Sequence, residues 1–471
     1  MSNSTTVAPA AAPRGRFRLI LVYLALVSFF WIVINPFRMI GLDVSPVARI
    51  LAWTADLAYP GKAQNSITVL TLPETGDFLK HRSWPLPVDQ WRLLIEQAAC
   101  EAPSTIFLDV VLYKTEQEDD GWGRFLQSMN DIKAGRFVCG PGKTAPPIPI
   151  FLARGEVDGQ LGSPSLPQDS LVVTSWSGDS GYPLVGNEGS RLPQFTAAFA
   201  IARRLCTDTP KADFCPDSLP DPQDDRIDVV WGDMIPDETK LLLDGGATNC
   251  PVGASLLGDI VGDVFRSLIE RQQPRYLPCS YHPRLPIEQY GDLSRACAQS
   301  NEQDCALIKL LFRHRVLMIG IDRSDYEDKV YSPIHGYIPG VFFHAMALDN
   351  LLNYGAGYFK TNLVSRLIIF IAVVFLLAPL SWVGARYWDV RHSKKVLFSV
   401  YGASLIFCVG LFSLSCWIHL ISPTSSSILL GMFFVFLDAA GIDFSVKDWL
   451  LGREPPTPTG GSPRRRISPV R

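Results

Sequence analysis

The stretch ITVLTLPETGDFLKHRSWPLPVDQWRLLIEQAACEAPSTIFLDVVLY covers residues 67–113. It opens and closes on short apolar runs rich in β-branched side chains, ITVLTL (67–72) and STIFLDVVLY (104–113), which read as strands. Between them PVDQWRLLIEQAAC (87–100) has apolar residues at helical spacing, with Pro87 at the start, where its missing N–H is harmless. Strand, helix, strand is a βαβ unit and predicts a parallel pair. Neither strand alternates apolar with polar, so helices must cover both faces of the sheet. The expected fold class is therefore α/β, a mixed, mostly parallel sheet flanked by helices.

Working outward, LVVTSW (171–176), RIDVVW (226–231) and HRVLMIGI (314–321) extend the set of strands. Helical spacing recurs at 46–59, 192–206, 255–271 and 341–354. Residues 139–170, rich in Gly and Pro, residues 206–226 and much of 276–304 read as long loops.

Hydrophobic residues make up 47% of the 471-residue chain and charged residues 19%, with a net charge of −3. A near-neutral chain gives a nucleic-acid partner no electrostatic support. Four apolar runs stand out: 17–37, 363–383, 396–420 and 424–443. A bilayer core needs about 20 apolar residues as helix, so each is a candidate span, the last interrupted by Asp438. No small-x-small cleavage site follows the first, which reads as an uncleaved anchor. Basic residues fix the orientation: Arg14, Arg16 and Arg18 precede the first run, Arg386, Arg391, Lys394 and Lys395 link the second and third, and Arg464 to Arg466 lie in the tail. Both termini are then cytoplasmic and residues 38–362 extracytoplasmic. Residues 1–16 and the basic tail 444–471 are expected to be disordered.

Eight of the ten cysteines fall in the outer segment, an even number that fits an oxidising compartment. Cys206 with Cys215, and Cys297 with Cys305, would close short loops. No C-x-x-C occurs, which argues against zinc, and no metal or other cofactor is expected.

Catalytic motifs are scarce. GPGKT (140–144) lacks the first glycine of a phosphate loop, since Phe137 stands there. Neither G-x-S-x-G nor H-E-x-x-H is present, so no enzyme activity is expected. Asp109 and Asp322 end strands, where α/β folds place ligand-contacting residues. His335 and His344 flank Pro339 and Gly340; on the helix that follows, His344 shares the apolar face. Gly340 would permit a sharp turn into that helix.

Three stretches resemble the type-2 CHASE sensor domain, an extracytoplasmic module of bacterial cyclases and kinases. Residues 67–91 are similar to its opening strand, acidic turn and Trp-Pro step, with Glu74, Trp84 and Pro85 at matching positions. STIFLDVVLY matches a strand with an Asp near its end, here Asp109. RVLMIGIDRSDYEDKVYSPIHGYIPGVFFHAMALDNLL looks like the closing strand and helix, with Asp328, Ser332, Pro333, Pro339, Gly340, His344 and Ala345 on the pattern. The likeness spans about residues 45–360, and the family layout also implies one span before the domain and three after. The chain departs from the pattern at Pro73, where an acid is usual, and at Val88, where a base is common. Residues 444–471 are too few for the cyclase or kinase domain that members often carry.

The resemblance implies a sensor anchored in a bacterial inner membrane that binds an unknown extracytoplasmic ligand and acts through a separate partner. Ligand contacts are expected among Glu74, Trp84, Asp109, Asp322, Asp328, His335 and His344, with Pro339, Gly340 and Asp438 passing the signal on. An envelope scaffold binding proteins, or a membrane-anchored hydrolase using Asp109, Asp322 and His335, are the rival expectations. A homodimer is left open.

Overall fold

The structure is a computed structural model describing residues 59–73, 86–112, 119–154, 167–174, 181–186, 194–208, 214–222, 226–232, 236–237, 280–322, 329–332 and 334–358. All four apolar runs lie outside these residues. Among the described residues no helix is long and apolar enough to cross a membrane.

The opening unit forms as β1 (Ile67–Pro73), α1 (Val88–Ala99) and β2 (Thr105–Leu108). Then come α2 (Asp119–Lys133), a hairpin of β3 (Val138–Gly140) and β4 (Lys143–Thr144), β5 (Ile150–Arg154) and β6 (Leu171–Val173). A small hairpin, β7 (Val185–Gly186) with β8 (Gln194–Phe195), leads into α3 (Ala197–Asp208). The last part holds β9 (Arg284–Pro286), α4 (Ile287–Ala298), α5 (Glu302–Phe312), β10 (Val316–Asp322), the hairpin β11 (Lys329–Ser332) and β12 (Gly336–Pro339), and α6 (Gly340–Tyr354).

Six strands make one sheet in the order β6-β5-β2-β10-β1-β9, and every pairing in it is parallel. β1 and β2 are not neighbours: β10 lies between them, with Val316 opposite both Ile67 and Thr105. Alternate residues face opposite sides, as a pleated strand requires. Leu70, Leu72, Ile106, Leu108, Leu317 and Ile319 pack with Trp91, Phe125, Tyr290 and Phe312 of α1, α2, α4 and α5. Ile67, Val69, Phe107, Val316 and Met318 pack on the other side with α3 and α6. The result is three layers, helix, sheet and helix, with the sheet buried on both faces.

Three expectations change. The 139–170 stretch is not a loop throughout: IFLAR forms β5 directly after Pro149 and is buried beside β2. In 276–304, β9 and α4 replace another expected loop. RIDVVW does not join the sheet. Among the described residues its only bridge pairs Ile227 with Tyr182, and Val230 gives its backbone N–H to, and accepts at its carbonyl from, the Asn350 side-chain amide of α6. An extended segment can thus satisfy its backbone from a helix side chain instead of a neighbouring strand.

Candidate functional site

The site is organised around α6. Its sequence, GVFFHAMALDNLLNY, carries apolar residues all round, and twelve of its fifteen residues are buried. Such a helix needs cover on every side. The sheet supplies one side: a Cβ built on Gly320 of β10 would overlap Val341, so the missing side chain allows close approach. α3 packs on another. The 226–232 segment lies over the helix as a strap. It is pinned at Ile227 by Tyr182, at Val230 by Asn350, and by Trp231 stacking on Phe343 with ring centroids 6.0 Å apart.

Two of the expected residues, Asp109 and His344, meet under this cover. Asp109 follows β2, and its N–H donates to the Ile319 carbonyl at 2.8 Å, which holds it beside β10. The Ala198 N–H in the first turn of α3 donates to Tyr182 Oη at 2.9 Å. The Tyr182 hydroxyl is hydrogen-bonded to His344 Nδ1 at 2.8 Å. His344 Nε2 faces Asp109 Oδ1 at 3.7 Å, longer than a hydrogen bond. Burial lowers the His344 pKa to about 3, so the ring is neutral at pH 7. Burial likewise raises the Tyr182 hydroxyl above its ordinary value. The arrangement is a buried hydrogen-bonded chain joining the start of α3 to the middle of α6, with Asp109 of the β2 end close beside it. It has no exposed nucleophile among these groups.

Asp322 is engaged elsewhere. Arg284 of β9 runs over β1 past Thr71 and forms an ion pair with the Asp322 carboxylate. His335 Nε2 donates to the Gly232 carbonyl at 2.8 Å and so pins the end of the strap. Asp109, Asp322 and His335 are therefore held by three different sets of partners. Pro339 occupies the N-cap position of α6 with φ −56° and ψ 145°, and Gly340, the first helical residue, is not among the glycines of positive φ. The turn into the helix is made by Pro339, whose φ is fixed by its ring, and not by a left-handed glycine. Glu74, Trp84, Asp328 and Asp438 lie outside the described residues.

A second polar cluster, which the sequence reading missed, secures the far end of α6. The fully buried Asp349 carboxylate accepts from Tyr59 Oη and Asn353, and His282 Nε2 lies 3.2 Å from it. Burial, then the Asp349 charge, raises the Tyr59 pKa well above its ordinary value. Tyr59 precedes β1, so this cluster ties the entry of the domain to the helix by which the chain leaves it. The Asp349-Asn350 pair inside an otherwise apolar helix was the available signal, since buried polar side chains require partners.

Among the described residues three disulfides support these elements. Cys206–Cys215 and Cys297–Cys305 form as expected, and Cys100–Cys139 adds a link from the end of α1 to β3. Past Cys215, the Ser218 carbonyl accepts from the Ala356 N–H at 2.9 Å, beside the end of α6. GPGKT is the β3–β4 turn, with Lys143 Nζ donating to the Cys100 carbonyl at 3.1 Å. Among the described residues no group of His, Cys, Asp and Glu is placed to hold a metal ion.

No curated protein and no solved structure matches the chain. Residues 44–380 match the CHASE2 domain, a family of extracytoplasmic sensor domains, and the matched segment contains the sheet, both polar clusters and all of α6. More than half of the chain lies in that match, and the protein belongs to the CHASE2 domain family.

Proposed function

We propose that this protein is a membrane-anchored sensor whose extracytoplasmic domain passes ligand occupancy through α6 to the apolar run beginning at residue 363, and from there to a separate partner. The observation that carries this reading is the set of ties along α6. Near its start it touches β10 at Gly320, at its middle it joins α3 through Tyr182 and His344 and packs edge-on against Phe107 of β2, and at its end it holds the entry segment through Asp349 and Tyr59. A helix fixed at so many points cannot shift without moving its neighbours, because packed interiors have discrete arrangements. A ligand would move it by binding one arrangement better than the other.

The coupling is tested without knowing the ligand. Tyr182→Phe removes the hydroxyl between Ala198 and His344 and keeps the ring. Amide hydrogen exchange on the full chain should then rise in α6 as well as in the first turn of α3. A rise confined to α3 would sink the route through α6.

A further inference from the structure

A cavity of about 700 Å³ lies between the outer face of α3 and the β5–β6 side of the sheet. That volume falls in the range of small-molecule sites. Ala200, Arg203, Arg204 and Thr207 line it at helical spacing, so one face of α3 forms a wall. Opposite it, Phe151 of β5 and Val172 of β6 lie on the α3 side of the sheet, Ile150 and Leu171 line the cavity from the strand edges, and Phe195 of β8 closes one side.

The charges are unequal. Among the described lining residues three are cations, Lys133, Arg203 and Arg204, and one is an acid, Asp169. Lys133 already holds the Asp169 carboxylate at 2.8 Å and Ser170 Oγ at 2.9 Å, which offsets the acid. The Arg203 guanidinium sits 5.0 Å over the Phe195 ring, an arrangement that orients it at the cavity wall. A cavity with apolar surface on one side and the Arg203 guanidinium at its wall matches a ligand with an apolar body and an anionic group, because guanidinium pairs with carboxylate and phosphate in bidentate fashion.

We propose that this cavity binds a small organic anion with an aromatic or aliphatic body. The site stands on its own geometry; only the consequence of occupancy rests on the sensor reading. A ligand there touches the outer face of α3, whose first turn is hydrogen-bonded through Tyr182 to α6.

The test is titration calorimetry on the full chain in lipid nanodiscs, with phenyl phosphate, benzoate, inorganic phosphate and phenol as probes. Phenyl phosphate or benzoate should bind saturably, one per chain. Phenol and inorganic phosphate, each lacking one half of the ligand, should bind at least about tenfold more weakly. Arg203→Gln changes an exposed residue and should lose about tenfold or more in affinity. Arg313→Gln, an exposed cation on another element, should bind as the parent does. The proposal is overturned if neither organic anion binds saturably, if phenol binds as well, or if Arg203→Gln binds as the parent does. Any of these with the Tyr182→Phe exchange effect intact dismisses the cavity and leaves the α6 route standing.

Discussion

Gly320 of β10 and Val341 of α6 lie so close that a Cβ on the glycine would overlap the valine's Cβ and both its methyls. Both backbones are buried, one in the middle of the sheet and one in the first turn of the helix, so neither can move aside cheaply. Gly320→Ala should therefore destabilise the domain by about 1–3 kcal/mol, the usual cost of overpacking. Gly291 in α4 is the control, since nothing lies within 4 Å of its built Cβ. Gly291→Ala should stabilise by about 0.5–1 kcal/mol through helix propensity. Equilibrium denaturation of both variants checks the opposite signs.

His344 gives the fold a pH dependence of known direction. Its pKa is about 3 when folded and 6.5 when exposed. Between those values the unfolded chain binds the proton and the folded chain does not. Stability from this group is complete above about pH 6.5 and falls on acidification toward pH 3, by up to about 1.4 kcal/mol per pH unit. His344→Gln keeps a group that can accept from Tyr182 and cannot titrate. Its denaturation midpoint should vary less with pH in that window than the parent's; equal slopes would show that His344 is not held neutral.

Disulfide loss should scale with loop length. Cys100–Cys139 closes a separation of 39 residues and Cys206–Cys215 one of 9. Loop-closure entropy assigns about 4 kcal/mol to the first and about 2.5 kcal/mol to the second. Replacing each pair with serine and comparing denaturation midpoints checks the order. The shorter link has a second effect, because the segment after Cys215 meets the end of α6 at Ala356. Its removal should raise hydrogen exchange there.

How much of this was legible in the chain follows from where each interaction is encoded. β1, α1, β2, β10 and α6 are each visible because local periodicity and propensity agree there. The insertion of β10 between β1 and β2 is not, since parallel partners far apart in sequence leave no local mark. β5 was obscured by the prolines that precede it. RIDVVW has strand composition, yet its backbone is satisfied by Asn350 and Tyr182, a choice made by tertiary packing. Of the expected site residues, Asp109 and His344 come together because both project onto the same side of the sheet. Asp322 takes Arg284 and His335 takes Gly232, partners that no spacing in the sequence announces.

The central claim is that this domain stands outside the membrane and hands its state to the chain that follows α6. The most direct measurement fuses alkaline phosphatase, or in parallel a green fluorescent protein, after Tyr358, just beyond α6. The account predicts an active phosphatase and a dark fluorescent protein in growing bacterial cells. A fluorescent fusion with inactive phosphatase would place the domain in the cytoplasm and contradict it.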